Sequence, residues 1–172
     1  MSENTLVLEP EAAKTEKLPA DKQIILFVCT GNTCRSPMCA ALFNGLFAGE
    51  NQPLWADSCG LAADGSPISQ NAVTALIHRG IKSEAGNDYI AHISKPVTEE
   101  QMKKAAMVVG MTGRHAMELM FRYPAYASKI SAMPTDISDP YGGDITVYEN
   151  CLREIESALR EAFLPNKESK DE

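Results

Sequence analysis

Cys29 and Arg35, a cysteine and an arginine with five residues between them, are the side chains of this sequence best suited to chemistry. Their loop, residues 29–36, follows an apolar run and precedes Pro37. A loop that leads from a strand into a helix directs backbone N–H groups inward, and the helix dipole adds positive potential. A thiol in such a field ionises to the nucleophilic thiolate, and a guanidinium binds two oxygens of one oxyanion. The pattern predicts phosphoryl transfer with Cys29 as the nucleophile.

The other residues of this loop are compatible with an oxyanion cradle. Gly31 suits a position with unusual backbone dihedral angles, and Asn32 tolerates the left-handed region better than most residues. Ser36 can donate a hydrogen bond to the sulfur of Cys29, which would make that sulfur a better leaving group. We expect the phosphate-binding loop to comprise Thr30, Gly31, Asn32, Thr33, Cys34 and Ser36.

Apolar runs alternate with helical patterns along the chain, which predicts an α/β fold with a parallel sheet and helices on both faces. Strands are expected at 24–28, 54–58, 106–111 and, more weakly, 128–133. Helices are expected to begin at Pro37, Ser66, Thr98, Thr112 and Asp144, with the methionines between 102 and 120 in the core. In such sheets, ligands bind at the carboxyl ends of the strands, where the cysteine loop lies.

Asp139 is the predicted general acid. It follows the fourth strand, so the topology brings it to the same sheet edge as the cysteine loop, about a hundred residues away in sequence. The departing group needs a proton, which a carboxyl group can supply, and Pro140 fixes the backbone direction. In the second step Asp139 would act as a base on the water that hydrolyses the phosphocysteine.

The composition restricts the partners that we expect. The 172 residues carry a net charge of −7, whereas nucleic acids and anionic membranes require a basic surface, so neither is expected as a partner. No apolar run approaches the roughly 18 residues of a membrane span. Five cysteines, an odd number, favour a reducing cytoplasm over a disulfide framework.

Two stretches resemble the low-molecular-weight protein phosphatases. Val-Cys-Thr-Gly-Asn-Thr-Cys-Arg-Ser-Pro-Met, residues 28–38, is similar to the phosphate loop of that family, and Asp-Pro-Tyr-Gly-Gly at 139–143 is similar to its second motif. The resemblance implies a doubly wound, flavodoxin-like sheet of strand order 2-1-3-4. It also implies a cysteine-dependent protein phosphatase that works through a phosphocysteine, without a metal or other cofactor. Expected partners are phosphorylated proteins and inorganic phosphate or similar oxyanions.

The resemblance also divides the chain and assigns supporting residues. Residues 21–164 would form the phosphatase domain, residues 1–20 a disordered acidic tail and residues 165–172 a charged tail. Ser58 would support the loop by hydrogen bonds, and His92 would brace it through its asparagine. Tyr141 is expected to form an aromatic pocket wall, and Cys34 to form a reversible disulfide with Cys29. The family assigns no role to His115, which we interpret as a surface residue.

The identity of the substrate depends on small differences within the family. Phosphotyrosine enzymes of this family carry an aliphatic residue where this chain has Thr33. Three features of the chain resemble the protein arginine phosphatase branch instead: Thr33, the short 60–67 connection and the glycine pair at 142–143. We therefore favour phosphoarginine, with phosphotyrosine as the alternative. Two other classes remain open: a thioredoxin-coupled arsenate reductase, although residues 80–100 lack the cysteines that would relay electrons, and a non-catalytic oxyanion-binding module.

Overall fold

The cysteine loop leaves the central strand of a parallel sheet. The computed structural model describes residues 22–49 and 53–164, so the expected tails at 1–20 and 165–172 lie outside the described residues. Within these ranges one sheet has the order β2-β1-β3-β4, and all its pairings are parallel. The predicted α/β class and strand order are confirmed. The strands are β1 (Gln23–Cys29), β2 (Leu54–Gly60), β3 (Met107–Gly110) and β4 (Ile130–Ala132).

Strand β1 is buried on both faces, which explains its unbroken apolar sequence. Successive side chains of a strand point to opposite sides, so Ile25 and Phe27 pack into one core while Leu26 and Val28 pack into the other. Three helices contribute to the first core: α1 (Arg35–Leu46), α2 (Gln70–His78) and α5 (Ile145–Phe163). Two helices contribute to the second: α3 (Glu99–Lys104) and α4 (Gly113–Arg122).

The helix starts read from the sequence at Thr98, Thr112 and Asp144 are confirmed. Thr98 and Gln101 form a reciprocal capping box at the start of α3. The side chain of Thr112 accepts a hydrogen bond from the backbone N–H of His115, and Asp144 caps α5 in the same way. No helix in the described ranges is both long enough and apolar enough to cross a bilayer.

Helix α2 begins at Gln70, and the predicted start at Ser66 is wrong. Backbone groups just before the helix make hydrogen bonds to distant segments of the chain instead. The carbonyl of Ser66 accepts from the N–H of Ser94 at 2.9 Å, and the N–H of Ser69 donates to the carbonyl of Thr33 at 2.9 Å. The carbonyl of Ser66, which a helix from that residue would use, is thus occupied by Ser94, and the N–H of Ser69 ties this stretch to the cysteine loop.

The expected burial of the methionines on α4 is also wrong. Met117 is 72% exposed and Met120 is 38% exposed, whereas Ala116 and Leu119 face the core. Apolar residues occur around much of this helix, so the sequence pattern alone did not determine which side is buried.

Candidate active site

Cys29 ends β1 and lies at the floor of a cavity of about 650 Å³. Its side chain is 3% exposed. The Sγ atom lies 2.9 Å from the hydroxyl oxygen of Ser36 and accepts the backbone N–H of Asn32 at 3.3 Å. Helix α1 starts at Arg35, directly after the loop, so the positive end of its dipole is directed at this cavity. The sulfur therefore has hydrogen-bonding partners suited to an anion.

Asn32 holds the loop in place. It is fully buried and has a φ of 57°, in the left-handed region that asparagine tolerates. Its side-chain Nδ2 donates to Ser36 at 2.8 Å and to Ser58 at 3.0 Å, while its Oδ1 accepts the backbone N–H of Lys95 at 3.0 Å. The predicted supporting residue Ser58 thus reaches the loop through Asn32. The contact from Lys95 was not predicted.

His92 lies where the resemblance places it, with its Nε2 3.0 Å from the backbone carbonyl of Asn32. A carbonyl can only accept, so Nε2 carries the ring proton. Burial lowers the pKa of His92, although its hydrogen bond to Asn32 opposes that effect. The neutral imidazole thus serves as a fixed donor that holds the loop.

Arg35 connects the cysteine loop to the segment after β4. Its guanidinium is largely buried, and Nη1 donates to the carbonyl of Ile137 at 3.3 Å. Nη2 lies 3.6 Å from the carboxylate of Asp139. That carboxylate is 58% exposed and accepts the backbone N–H of Tyr141 at 3.1 Å. The two motifs predicted to meet are therefore neighbours in the fold.

The second loop cysteine, Cys34, has a tyrosine partner. Its Sγ lies 3.2 Å from the hydroxyl of Tyr148, which accepts a hydrogen bond from Ser69 at 3.0 Å. Burial, reinforced by the hydrogen bond to Cys34, raises the pKa of Tyr148 to about 12. Tyr148 is therefore a neutral donor toward Cys34. Cys34 and Cys29 are both free thiols here, and their pairing stays a prediction.

The remaining cysteines are core residues. Cys39, Cys59 and Cys151 are buried, and burial is the main reason that the pKa of each thiol is raised, to about 12 for the latter two. Within the described residues, no group of three or more histidine, cysteine, aspartate or glutamate side chains is arranged to hold a metal ion.

The walls of the cavity include several polar side chains. Thr33 lines it, with its hydroxyl oxygen 3.6 Å from the sulfur of Cys34. Two carboxylates, Asp64 and Asp139, also line it, and two hydrogen bonds from Ser66 lower the pKa of Asp64. Tyr141 forms part of the wall but is 81% exposed. Thr30, Gly31, Gly142 and Tyr148 also line the cavity.

His115 was wrongly interpreted as a surface residue. It is 6% exposed, and its ring nitrogens contact two threonines, Nε2 with Thr30 and Nδ1 with Thr112, each at 2.9 Å. Burial and the nearby Arg35 lower the pKa of its imidazole. The sequence did contain a pattern that could have indicated this position. A histidine three residues after a helix-capping threonine lies in the first turn of the helix, beside the end of the preceding strand.

Gly60 is a second residue whose role sequence reasoning missed. It pairs with Cys29 in the sheet and lies directly beneath the loop. A Cβ atom at this position would lie 2.5 Å from the carbonyl oxygen of Thr30 and 3.0 Å from the side chain of Asn32. Only glycine permits this close approach of two backbone segments.

Comparison with known proteins identifies relatives of this chain. Residues 24–171 match the family described as "Low molecular weight phosphotyrosine protein phosphatase". A protein-arginine-phosphatase of Bacillus subtilis (strain 168) is 34% identical over 145 residues, covering 80% of this chain and 92% of that protein. One from Geobacillus stearothermophilus is 38% identical over 146 residues, covering 78% and 90%. A solved YwlE arginine phosphatase variant with a phosphorylated active-site serine has a TM-score of 0.74 at 33% identity, covering 86% and 98%.

Proposed function

The chain belongs to the low molecular weight phosphotyrosine protein phosphatase family, and we propose that it hydrolyses phosphorylated protein side chains through a phosphocysteine on Cys29. The observation that carries this proposal is the convergence of three groups on one cavity. Cys29, Arg35 and Asp139 all line it, although the third lies in a separate sequence motif. A nucleophile, an oxyanion-binding guanidinium and a proton donor are the groups that phosphoryl transfer to sulfur requires.

In the first step, the phosphoryl group binds to the loop and to Arg35, above the sulfur of Cys29. The thiolate attacks phosphorus, a P–S bond forms, and the bond to the substrate nitrogen or oxygen breaks. Asp139 gives its proton to that departing atom, which avoids an unstable anionic leaving group. The exposure of the Asp139 carboxylate leaves it accessible to a substrate side chain.

In the second step, water attacks the phosphocysteine and inorganic phosphate departs. Asp139, now a carboxylate, accepts the proton of that water, and the P–S electron pair returns to sulfur. Ser36 stabilises the returning thiolate, because its hydroxyl is 2.9 Å from Sγ. The related structure with a phosphorylated active-site serine supports covalent transfer at the corresponding type of site.

We favour phosphoarginine as the substrate because the cavity contains acceptors for a guanidinium group. A guanidinium group offers several N–H donors and positive charge, for which Asp64, Asp139 and the hydroxyl of Thr33 provide acceptors. The similarity to two protein-arginine-phosphatases supports the same choice. Phosphotyrosine is the second candidate, since Tyr141 supplies an aromatic wall and the family is described as phosphotyrosine phosphatases.

The deciding experiment compares kcat/KM for one peptide carrying phosphoarginine and for its phosphotyrosine counterpart. We expect phosphoarginine to be preferred, and Thr33→Ile and Asp64→Asn each to reduce that preference about tenfold, since one lost polar contact has this order of effect on discrimination. Asp88→Asn is the matched control, because Asp88 also accepts a serine hydrogen bond, from Ser83, but does not line this cavity. A strong preference for phosphotyrosine, unchanged by Thr33→Ile, would contradict the assignment.

The domain boundaries and location are also proposals. We assign the phosphatase domain to residues 21–164; the family match begins at residue 24 and continues to residue 171. The proposed chemistry requires Cys29 as a free thiol, and reducing compartments preserve thiols. We therefore place the protein in the cytoplasm.

A further inference from the structure

The hydrogen bond between Thr30 and His115 has no part in the mechanism above. We propose that His115 is a positioning residue that directs the hydroxyl proton of Thr30 toward the oxyanion held above Cys29, so that Thr30 contacts the substrate. This inference rests on the proposed phosphatase function and adds one donor to the phosphate-binding site.

Thr30 is placed to make that contact. It directly follows Cys29, is exposed, and lines the cavity. Its hydroxyl oxygen lies 2.9 Å from Nε2 of His115, a residue 85 positions further along the chain. Thr30 thus lines the site while its hydroxyl contacts a buried imidazole.

The fold brings His115 to this position through a close contact. The strand β3 pairs with β1, and Gly110 at its end pairs with Val28. A Cβ atom on Gly110 would lie 2.6 Å from the backbone nitrogen of Ala116 and 3.0 Å from the Cβ of His115. The glycine therefore allows the first turn of α4 to pack against the strand end, which sets His115 beside the cysteine loop.

The surrounding hydrogen bonds favour one direction of proton donation between His115 and its two threonine partners. The hydroxyl oxygen of Thr112 accepts the backbone N–H of His115 at 3.3 Å, so its own proton is best donated to Nδ1, 2.9 Å away. Nδ1 is then an acceptor, and the ring proton lies on Nε2. Nε2 donates to the oxygen of Thr30, which leaves the hydroxyl proton of Thr30 free to be donated into the cavity.

This pattern requires an imidazole with one proton. Burial and the positive charge of Arg35 both lower the pKa of His115, while Glu118, Asp139 and Asp136 oppose them. The neutral form is therefore favoured near neutral pH, and the hydrogen-bond directions above apply. A phosphoryl oxygen, which is anionic, is the acceptor that a hydroxyl donor in this place would bind most strongly.

The first test measures the tautomer directly. The sequence contains three histidines, so ¹⁵N chemical shifts and ring proton couplings can assign each imidazole in the full-length protein. We expect His115 to carry its proton on Nε2, both free and with inorganic phosphate bound. A proton on Nδ1 would make Thr30 the donor to His115, leave no proton for a ligand, and overturn the proposal.

The second test measures the dissociation constant of inorganic phosphate by calorimetry. We expect Thr30→Val and His115→Phe each to weaken phosphate binding about tenfold, the order of one hydrogen bond to a charged group, with little further loss in the double variant. Thr30→Ser keeps the hydroxyl and should retain wild-type binding. His78→Gln is the control, because His78 contacts Glu149 on the surface and does not line the cavity.

The outcomes separate this inference from the proposed function. Should Thr30→Val bind phosphate as tightly as the wild type, Thr30 makes no contact and the inference is wrong, whatever His115→Phe does to folding. Neither test uses turnover. A protein that binds phosphate through Thr30 but hydrolyses no phosphorylated peptide would uphold the inference and reject the phosphatase assignment.

Discussion

The hydroxyl oxygen of Ser36 lies 2.9 Å from the sulfur of Cys29, and both side chains are buried. Ser36 also accepts a hydrogen bond from Nδ2 of Asn32 at 2.8 Å. The hydroxyl proton has two acceptors within reach, the sulfur of Cys29 at 2.9 Å and the carbonyl of Cys59 at 3.4 Å, and the shorter contact is the one to the sulfur. This geometry stabilises the thiolate both before attack and when it leaves the phosphocysteine.

Ser36→Ala should therefore slow the second step more than the first. We expect kcat to fall roughly 10- to 100-fold, because the loss of one hydrogen bond to a charged group has an effect of this order. Rapid mixing with an aryl phosphate should show a burst of released phenol followed by slow turnover. Ser83→Ala, at a surface serine bonded to Asp88, should show neither change. An unchanged kcat without a burst would show that Ser36 does not assist sulfur departure.

Asn32→Ala should destabilise the fold as well as the site. The substitution leaves the N–H of Lys95 and the hydroxyl of Ser58 without their partner, and alanine is strained at a φ of 57°. We expect the free energy of unfolding in urea to fall by roughly 2–4 kcal/mol. Activity should fall further than stability predicts, because the side chain of Asn32 also positions Ser36, whose hydroxyl contacts the sulfur of Cys29.

Asn44→Ala provides the matched control for that experiment. Asn44 makes two hydrogen bonds to the backbone of Ala56, at 2.8 and 2.9 Å, outside the cysteine cavity. The control should lose stability but retain kcat. Equal losses of activity in the two folded variants would contradict the specific role of Asn32.

Stability should decrease on acidification below about pH 6.5, the ordinary pKa of histidine. The pKa values of His92 and His115 are lowered in the folded protein, mainly by burial. Below pH 6.5 the unfolded chain therefore binds protons that the folded chain does not, and the stabilisation present at higher pH is lost as pH falls toward the folded pKa values. Urea unfolding at pH 7.5 and 5.5 measures this difference. His92→Gln and His115→Gln should each make this difference smaller than in the wild type. If both variants show the same difference as the wild type, the two histidines are not the cause of the pH dependence.

Asp139→Asn should slow hydrolysis by roughly 10²–10⁴-fold, the usual range for general acid catalysis. The loss should be largest for a poor leaving group such as an alkyl phosphate and smallest for an activated aryl phosphate. Asp136→Asn, at a carboxylate that binds the N–H of Gly113 nearby, is the control for a general change in charge. A uniform loss of kcat/KM, which reports the first step, across leaving groups would show that Asp139 does not donate a proton to the departing group.

The sequence indicated the site best where chemistry lies in a short motif. Cys29, Arg35 and Asp139 were identified from residue type, spacing and strand order, and the structure places all three at one cavity. The strand order 2-1-3-4 came from the family resemblance. The α/β class followed from the apolar run of β1 and from the helical patterns between the strands. These features are local, so one sequence is enough to read them.

The residues that were missed depend on tertiary contacts. His115 reaches Thr30 because Gly110 lets α4 approach the sheet, and the backbone of Lys95 reaches Asn32 across a long connection. Neither contact leaves a periodic pattern in the sequence. The start of α2 was misplaced for the same reason, since hydrogen bonds to distant segments hold residues 66–69 outside the helix.

The most direct measurement of the central claim is the identity of the covalent intermediate. The Asp139→Asn variant, quenched in acid during turnover of an aryl phosphate, should yield a peptide from the cysteine loop that carries one phosphoryl group on Cys29. Cys29→Ser should still bind phosphate while showing no turnover. A phosphoryl group found on another residue, or full activity in Cys29→Ser, would contradict the account.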